Sequence, residues 1–103
     1  MVVIAVFYRL ELDHKKSNKG EEVMKIKRAV AERIIKLCQQ NNISANALAR
    51  AAAVPPSTLK NILNNGSQNP GIVTIKKLCD GLDISIIDFF DDPLFANLEQ
   101  EIE

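Results

Sequence analysis

The stretch ISANALARAAAVPPSTLKNIL, residues 43–63, decides how this chain is read. Ser44 is a good N-cap, because its hydroxyl can accept from the backbone N–H groups that a helix start leaves without partners. Ile43 before it and Leu48 inside can close a hydrophobic staple. Residues 45–52, ANALARAA, are nearly all strong helix formers, and their alanines let another helix approach closely. Val54 reads as a buried spacer. Pro55-Pro56 then opens a second helix over Pro56–Leu63, since proline is tolerated where first-turn N–H groups have no intrahelical acceptor. Leu59, Ile62 and Leu63 recur at helical spacing and face inward. Ser57, Thr58, Lys60, Asn61 and Asn64 are left for the outside. Asn64-Asn65-Gly66 ends the helix, because Asn and Gly tolerate left-handed backbone.

Upstream, the period is helical from Met24. Ile26, Val30, Ile34 and Leu37 form an apolar stripe, with Lys25, Lys27, Arg28, Arg33 and Lys36 mostly off it. Gln39–Asn42 ends this helix. Downstream, Ser67–Gly71 is a turn. A helix over Ile72–Leu82 follows, with Ile72, Ile75, Leu78 and Leu82 on one face, and Asp83 stops it. A last short helix begins at Ile84-Ser85, where Ser85 and Asp88 resemble a capping box. It carries Ile86, Ile87, Phe89 and Phe90 and stops at Asp91-Asp92-Pro93. Residues 24–92 thus read as one domain of five helices. Residues 93–103 form an acidic tail that could be a short helix packed through Leu94, Phe95, Leu98 and Ile102.

The other end differs. Val2–Leu12, VVIAVFYRLEL, is rich in β-branched and aromatic residues and ends in alternation, a strand signal. With no basic n-region and no small-residue cleavage site, it does not read as a signal peptide. Asp13–Gly20 is polar and reads as a linker. A lone strand cannot satisfy its own backbone groups. Nothing downstream reads as a strand, so the expected partner is the same segment of a second chain. The rival reading makes Met24 the physiological start and residues 1–23 an upstream extension, because codons for Glu21-Glu22-Val23 can spell a purine-rich ribosome-binding site.

Composition bounds the rest. The 103 residues suffice for one domain, with 47% hydrophobic and 25% charged residues, which excludes wholesale disorder. No apolar run reaches the roughly eighteen residues of a membrane helix. Cys38 and Cys79 make neither a disulfide framework nor a zinc pattern and read as small core residues. His14 stands alone in a charged loop. There is no Ser/His/Asp or Cys/His set, no phosphate-binding glycine loop and no paired carboxylates in a plausible pocket. No enzyme activity, cofactor or metal is expected. Net charge is zero, yet residues 24–82 carry nine cations against Glu32 and Asp80, whereas residues 83–103 carry seven acidic residues and no cation. A basic body suggests a polyanionic partner. Solvated faces are the plain alternative, and the acidic tail could also screen the body.

In their order and spacing, Ile43-Ser44…Leu48-Ala49, Val54-Pro55-Pro56-Ser57-Thr58-Leu59, Asn69-Pro70, and Thr74-Ile75…Leu78-Cys79…Leu82-Asp83-Ile84-Ser85…Phe89-Phe90 resemble the phage-repressor-type (XRE-like, Cro/CI-type) helix-turn-helix DNA-binding domain. The resemblance covers residues 26–90, with the helix-turn-helix proper at Ala45–Leu63. It implies an all-α, five-helix bundle, here preceded by a β-strand extension. The turn usually carries Gly where this chain has Ala53, and Ala is strained at a positive φ. The resemblance also implies that the helix over Pro56–Leu63 lies in the major groove. Pro56, Ser57, Lys60 and Asn61 are then the base-contacting candidates: Asn61 to adenine, Lys60 to guanine or phosphate, Ser57 to several bases, Pro56 only to a thymine methyl. Phosphate contacts are implied at Ser44, Ala45, Asn46, Thr58, Asn64, Asn65, Gly66, Ser67 and Gln68. The expected function is a cytoplasmic, sequence-specific transcriptional regulator, a repressor acting as a homodimer on double-stranded DNA. The alternative is a protein-interaction module of the same fold, such as an antitoxin or regulatory partner.

Overall fold

A computed structural model describes residues 24–64 and 69–102. Its helices are α1 (Ile26–Asn41), α2 (Ala45–Ala52), α3 (Pro56–Leu63), α4 (Ile72–Leu82) and α5 (Ile86–Phe90), followed by a 3-10 turn at Pro93–Phe95. Among the described residues there is no sheet, only an isolated parallel bridge between Met24 and Leu98. The expected strand Val2–Leu12 lies outside the described residues.

One corner is used three times. Helices α1, α2 and α4 end in a left-handed residue, Asn42 (φ 55), Ala53 (φ 57) and Asp83 (φ 60). An aliphatic residue follows each: Ile43, Val54, Ile84. Its N–H returns to the carbonyl five residues back, Cys38, Ala49 and Cys79 respectively, at 3.1, 2.9 and 3.0 Å. This is the Schellman closure, which satisfies carbonyls the helix end leaves open and buries the aliphatic side chain. Next comes the start of a new helix. Ser44 accepts from the Ala47 N–H at 3.1 Å, and Ser85 accepts from the Asp88 N–H at 2.9 Å within a complete capping box. Ala53 does take the left-handed conformation its place in the turn required. That conformation is strained for a residue with a Cβ, and the two hydrogen bonds of the corner hold it there.

The core is aliphatic, built from Val30, Ile34, Leu37, Leu48, Val54, Leu59, Ile62, Ile75, Leu78 and Leu82 around one fully buried ring, Phe89. Cys38 and Cys79 are buried in it as small residues. Ala49 and Ala52 make α2 thin enough for α3 and α4 to close on it. The approach to α4 is tight: a Cβ on Gly81 would stand 3.1 Å from both the Cβ and the backbone nitrogen of Ala52. Helix propensity alone would make Gly81→Ala stabilising by about 1 kcal/mol. The contact with main chain reverses that sign, and a net loss of about 1 kcal/mol is expected, read as a lower urea midpoint.

Three expectations are corrected. Arg33 is not off the stripe of α1; it is 8% exposed, because positions 29, 30, 33, 34 and 37 share one buried face. Ile72, expected on the apolar face of its helix, is 65% exposed; Ile75, Leu78, Cys79 and Leu82 form the buried face of α4, and in α5 the apolar Ile87 is 78% exposed. The tail is not a helix. Asp92 accepts from the Leu94 N–H at 2.9 Å and starts a single 3-10 turn, after which Glu99 donates its N–H to the Met24 carbonyl at 3.0 Å. Glutamates 99, 101 and 103 would have stood at the negative end of such a helix. Phe95 packs on the core, and Ile102 is exposed.

Candidate nucleic-acid interface

Helix α3 is held from one side. Leu59 and Ile62 are buried in the core and Leu63 is half-buried against it. The outer face then follows from helical spacing: Ser57, Lys60, Asn61 and Asn64 stand at i, i+3, i+4 and i+7, and all four are exposed. Pro55 and Pro56 start the helix, with the Pro55 carbonyl accepting from the Thr58 and Leu59 N–H groups at 2.9 and 3.2 Å. Pro56 is exposed, and its fixed ring stiffens the end from which Ser57 projects. Thr58 is half-buried, turned partly toward the bundle. The structure therefore brings Ser57, Lys60 and Asn61 together on one rigid, solvent-facing surface. Its chemistry suits base edges: an amide that can donate and accept in a pair, a hydroxyl that can do either, and one ammonium.

The start of α2 offers a different chemistry. Ser44 is exposed; its oxygen caps the Ala47 N–H while its own proton remains available to a phosphate oxygen. Ala45 is half-buried against the core, so only its main-chain N–H can serve. Asn46 is exposed. These groups sit at the positive end of the α2 dipole, which favours an anion. Ser44, Ala45 and Leu63 line one groove, so the start of α2 lies beside the last turn of α3 and its cap Asn64. Asn65, Gly66, Ser67 and Gln68 lie outside the described residues. The groove holds about 450 Å³ and is completed by Ile35, Cys38, Gln39, Asn42 and Ile43.

Ion pairing redistributes the basic body. Arg28 pairs with Glu32 at 2.9 Å, and Lys76 pairs with Asp80, whose hydrogen bond and charge push the Lys76 pKa up. Arg33 donates to the carbonyls of Phe89 (2.7 Å) and Asp88 (2.8 Å) and to Asp92 (3.0 Å), and Lys36 reaches the same carboxylate oxygen at 2.8 Å. Asp92 thus occupies two of the cations that the charge count had assigned to a polyanion. Among the described residues, Lys60 makes no ion pair and is the cation of the α3 face. Burial pushes the Cys38 and Cys79 thiols up, which disfavours the nucleophilic thiolate in both. Among the described residues no three His, Cys, Asp or Glu side chains gather as a metal site, and no helix is long and apolar enough to cross a membrane.

Sequence reasoning missed the Arg33–Asp92 clamp and the groove. A signal for the first existed, since Arg33 lies three residues after Val30 and four before Leu37, on the stripe itself. The groove left no local signal.

A family model described as the Cro/C1-type HTH DNA-binding domain matches residues 33–93. No curated protein matches the chain significantly. Among solved structures, prophage Lp1 protein 11 is 33% identical, with a TM-score of 0.65 over 74% of this chain and 100% of that one. A structure of a SinR protein/SinI protein complex gives 30% identity and a TM-score of 0.54 over 61% of each chain. The wild-type restriction-modification controller protein C.Esp1396I gives 23% identity and a TM-score of 0.58 over 62% of this chain and 81% of that one, a likeness of fold.

Proposed function

Because the chain belongs to the Cro/C1-type helix-turn-helix DNA-binding domain family, we propose that it is a sequence-specific transcription regulator, a repressor that reads the major groove with α3. The observation that carries this reading is the outer face of α3. Ser57, Lys60 and Asn61 project from a helix whose opposite side is locked into the core, and they form no part of any ion pair or core contact among the described residues. In this reading Asn61 pairs with an adenine, Ser57 and Lys60 serve neighbouring bases or phosphates, and Pro56 abuts a thymine methyl. Ser44, Ala45, Asn46 and Asn64 hold the flanking phosphate backbone, with Thr58 at the edge of the same contact. Binding, not catalysis, is the proposed activity, and its place is the cytoplasm, where such a regulator meets DNA.

One ammonium on the reading face means few counterions released per domain. Two copies on a two-fold-symmetric operator supply the missing affinity, and we therefore propose a homodimer on DNA. The test is a gel shift on the DNA flanking the protein's own gene, repeated across a salt titration. Specific, salt-sensitive retention is expected. Absence of retention at low salt overturns the reading in favour of a protein-binding module of the same fold.

Two substitutions sharpen it. Asn61→Ala is expected to cost about 1–3 kcal/mol on the specific site and to relax preference at one base position. Lys60→Ala is expected to weaken binding to all sequences and lower the salt slope by about 1 where it neutralises a phosphate. If both variants bind like the parent, α3 is not the reading element.

A further inference from the structure

Four of the cations are taken up inside the bundle. Arg28 and Lys76 pair with carboxylates on their own helices, and Arg33 and Lys36 share Asp92. Arg50, on α2, differs: it is exposed, and its side chain makes neither an ion pair nor a hydrogen bond among the described residues. The local sequence explains why. Residues 45–52 include no carboxylate, so nothing on the helix stands three or four residues away to take the guanidinium. The last carbonyls of α2 are occupied as well: Arg50 accepts from the Ala53 N–H at 3.3 Å and Ala49 from the Val54 N–H at 2.9 Å. We propose that Arg50 binds a phosphate of the DNA backbone, a clamp on the strand next to the contact at the start of α2. The proposal rests on the reading of the chain as a DNA-binding regulator.

Register, relief and chemistry all point to a phosphate. Arg50 follows Asn46 by four residues, so the two stand on one ridge of α2, about 6 Å apart along its axis, and both are exposed. In helix-turn-helix docking the first helix crosses the backbone while the second enters the groove, so a ridge on α2 meets phosphates and not base edges. The flanks of Arg50 are low. Ala47 and Ala53, three residues to either side, present only methyl groups, and the guanidinium stands above them where a strand can come close. The planar fork can take two phosphate oxygens at once and keeps its charge at any working pH. Ser44 and Asn46 on the same helix supply only neutral donors, and Lys60 is the cation of α3. Arg50 therefore brings to the backbone contact of α2 the charge that the contact otherwise lacks. Because phosphates carry no sequence information, its effect falls on affinity and salt dependence, not on base preference.

The experiment measures fluorescence anisotropy of the full chain on two labelled duplexes, the DNA flanking the protein's own gene and an unrelated sequence of equal length, from about 50 to 200 mM salt. Arg50→Ala is expected to weaken binding to both duplexes by the same factor, about five- to tenfold near 0.1 M salt, and to lower the salt slope by about 0.9 per bound domain, the share of one phosphate. Arg50→Lys is expected to keep the parent slope at reduced affinity, because the charge stays and the fork is lost. Without DNA, both variants are expected to melt with the parent, since Arg50 has no partner in the fold. An unchanged slope in Arg50→Ala overturns the proposal and leaves the reading of α3 standing. So does a loss confined to the flanking DNA, since Arg50 then reads a base. So does an Arg50→Ala variant that melts well below the parent, since the side chain then serves the fold. A parent that binds the two duplexes equally overturns sequence specificity alone, and the slope still decides the role of Arg50. A parent that binds neither at low salt overturns both.

Discussion

Arg33→Met is expected to destabilise the bundle by about 3–5 kcal/mol, a large part of the 5–15 kcal/mol that holds a small domain together. The guanidinium is a three-pronged clamp. Its Nε donates to the Phe89 carbonyl, one terminal nitrogen to the Asp88 carbonyl and the other to Asp92. Methionine matches much of the volume but takes the guanidinium donor from the Phe89 carbonyl in a buried place, a loss of about 1–3 kcal/mol, and leaves Asp92 with one cation fewer, whereas the Asp88 carbonyl still accepts from the Asp91 N–H at 3.3 Å. Asp92 keeps Lys36, which softens the loss without cancelling it. Arg33→Lys is not expected to restore stability, because one ammonium cannot reach three acceptors arranged for a planar fork. Lys36→Ala is the contrast: its side chain is 40% exposed, solvent screens the pair, and a loss below about 1 kcal/mol is expected. Thermal melts measure both; for a domain of this size each kcal/mol moves Tm by about 4–8 °C. An Arg33→Met variant that melts with the parent would show that the clamp adds nothing to the packing around it.

Phe89→Ala is expected to cost a comparable 3–5 kcal/mol. Phe89 is the one fully buried aromatic side chain among the described residues, in a core otherwise aliphatic. Its centroid lies 4.9 Å from that of Phe90 in an edge-on arrangement and 6.2 Å from that of Phe95. Truncation opens a cavity where α1, α4 and α5 have few side chains large enough to refill it, and it strips an aromatic neighbour from each of the other two rings. Phe89→Leu keeps most of the volume and is expected to recover more than half of the loss. Urea unfolding at 25 °C checks this through the midpoint at unchanged slope. Because Phe89 also holds one prong of Arg33 through its carbonyl, the double variant is expected to lose less than the sum of the two single changes. Strict additivity would mean that ring and clamp are independent.

Both effects come from a part of the molecule remote in sequence from α3, and that separation shows where sequence reading succeeds. The outer face of α3 was legible because it is local. Pro55-Pro56 sets where α3 starts, Leu59, Ile62 and Leu63 set which side is buried, and Ser57, Lys60 and Asn61 are what remains outside. The corners were legible in part. Ser44 and Ser85 could be read as caps, because each depends on bonds spanning three residues, whereas the strain at Ala53 was implied only by the family resemblance. That Asn42-Ile43-Ser44, Ala53-Val54-Pro55 and Asp83-Ile84-Ser85 are one corner used three times emerged only with the hydrogen bonds in place.

The sequence by itself determined the helices, most of their inward faces and the exposed side of α3, because hydrophobic periodicity, capping and proline act within a few residues. Only the tertiary structure decided the fate of the charges and the ends. Arg33 and Asp92 are 59 residues apart, and nothing local tells a cation on a mixed stripe whether a carboxylate and two carbonyls will arrive to let it be buried. The tail reads as helical by its spacing, yet Leu98 and Glu99 return to Met24 instead. The groove beside α2 is space left between three helices, each with its own apolar face. Its existence depends on how those faces close on one another, and no segment of the chain encodes that alone.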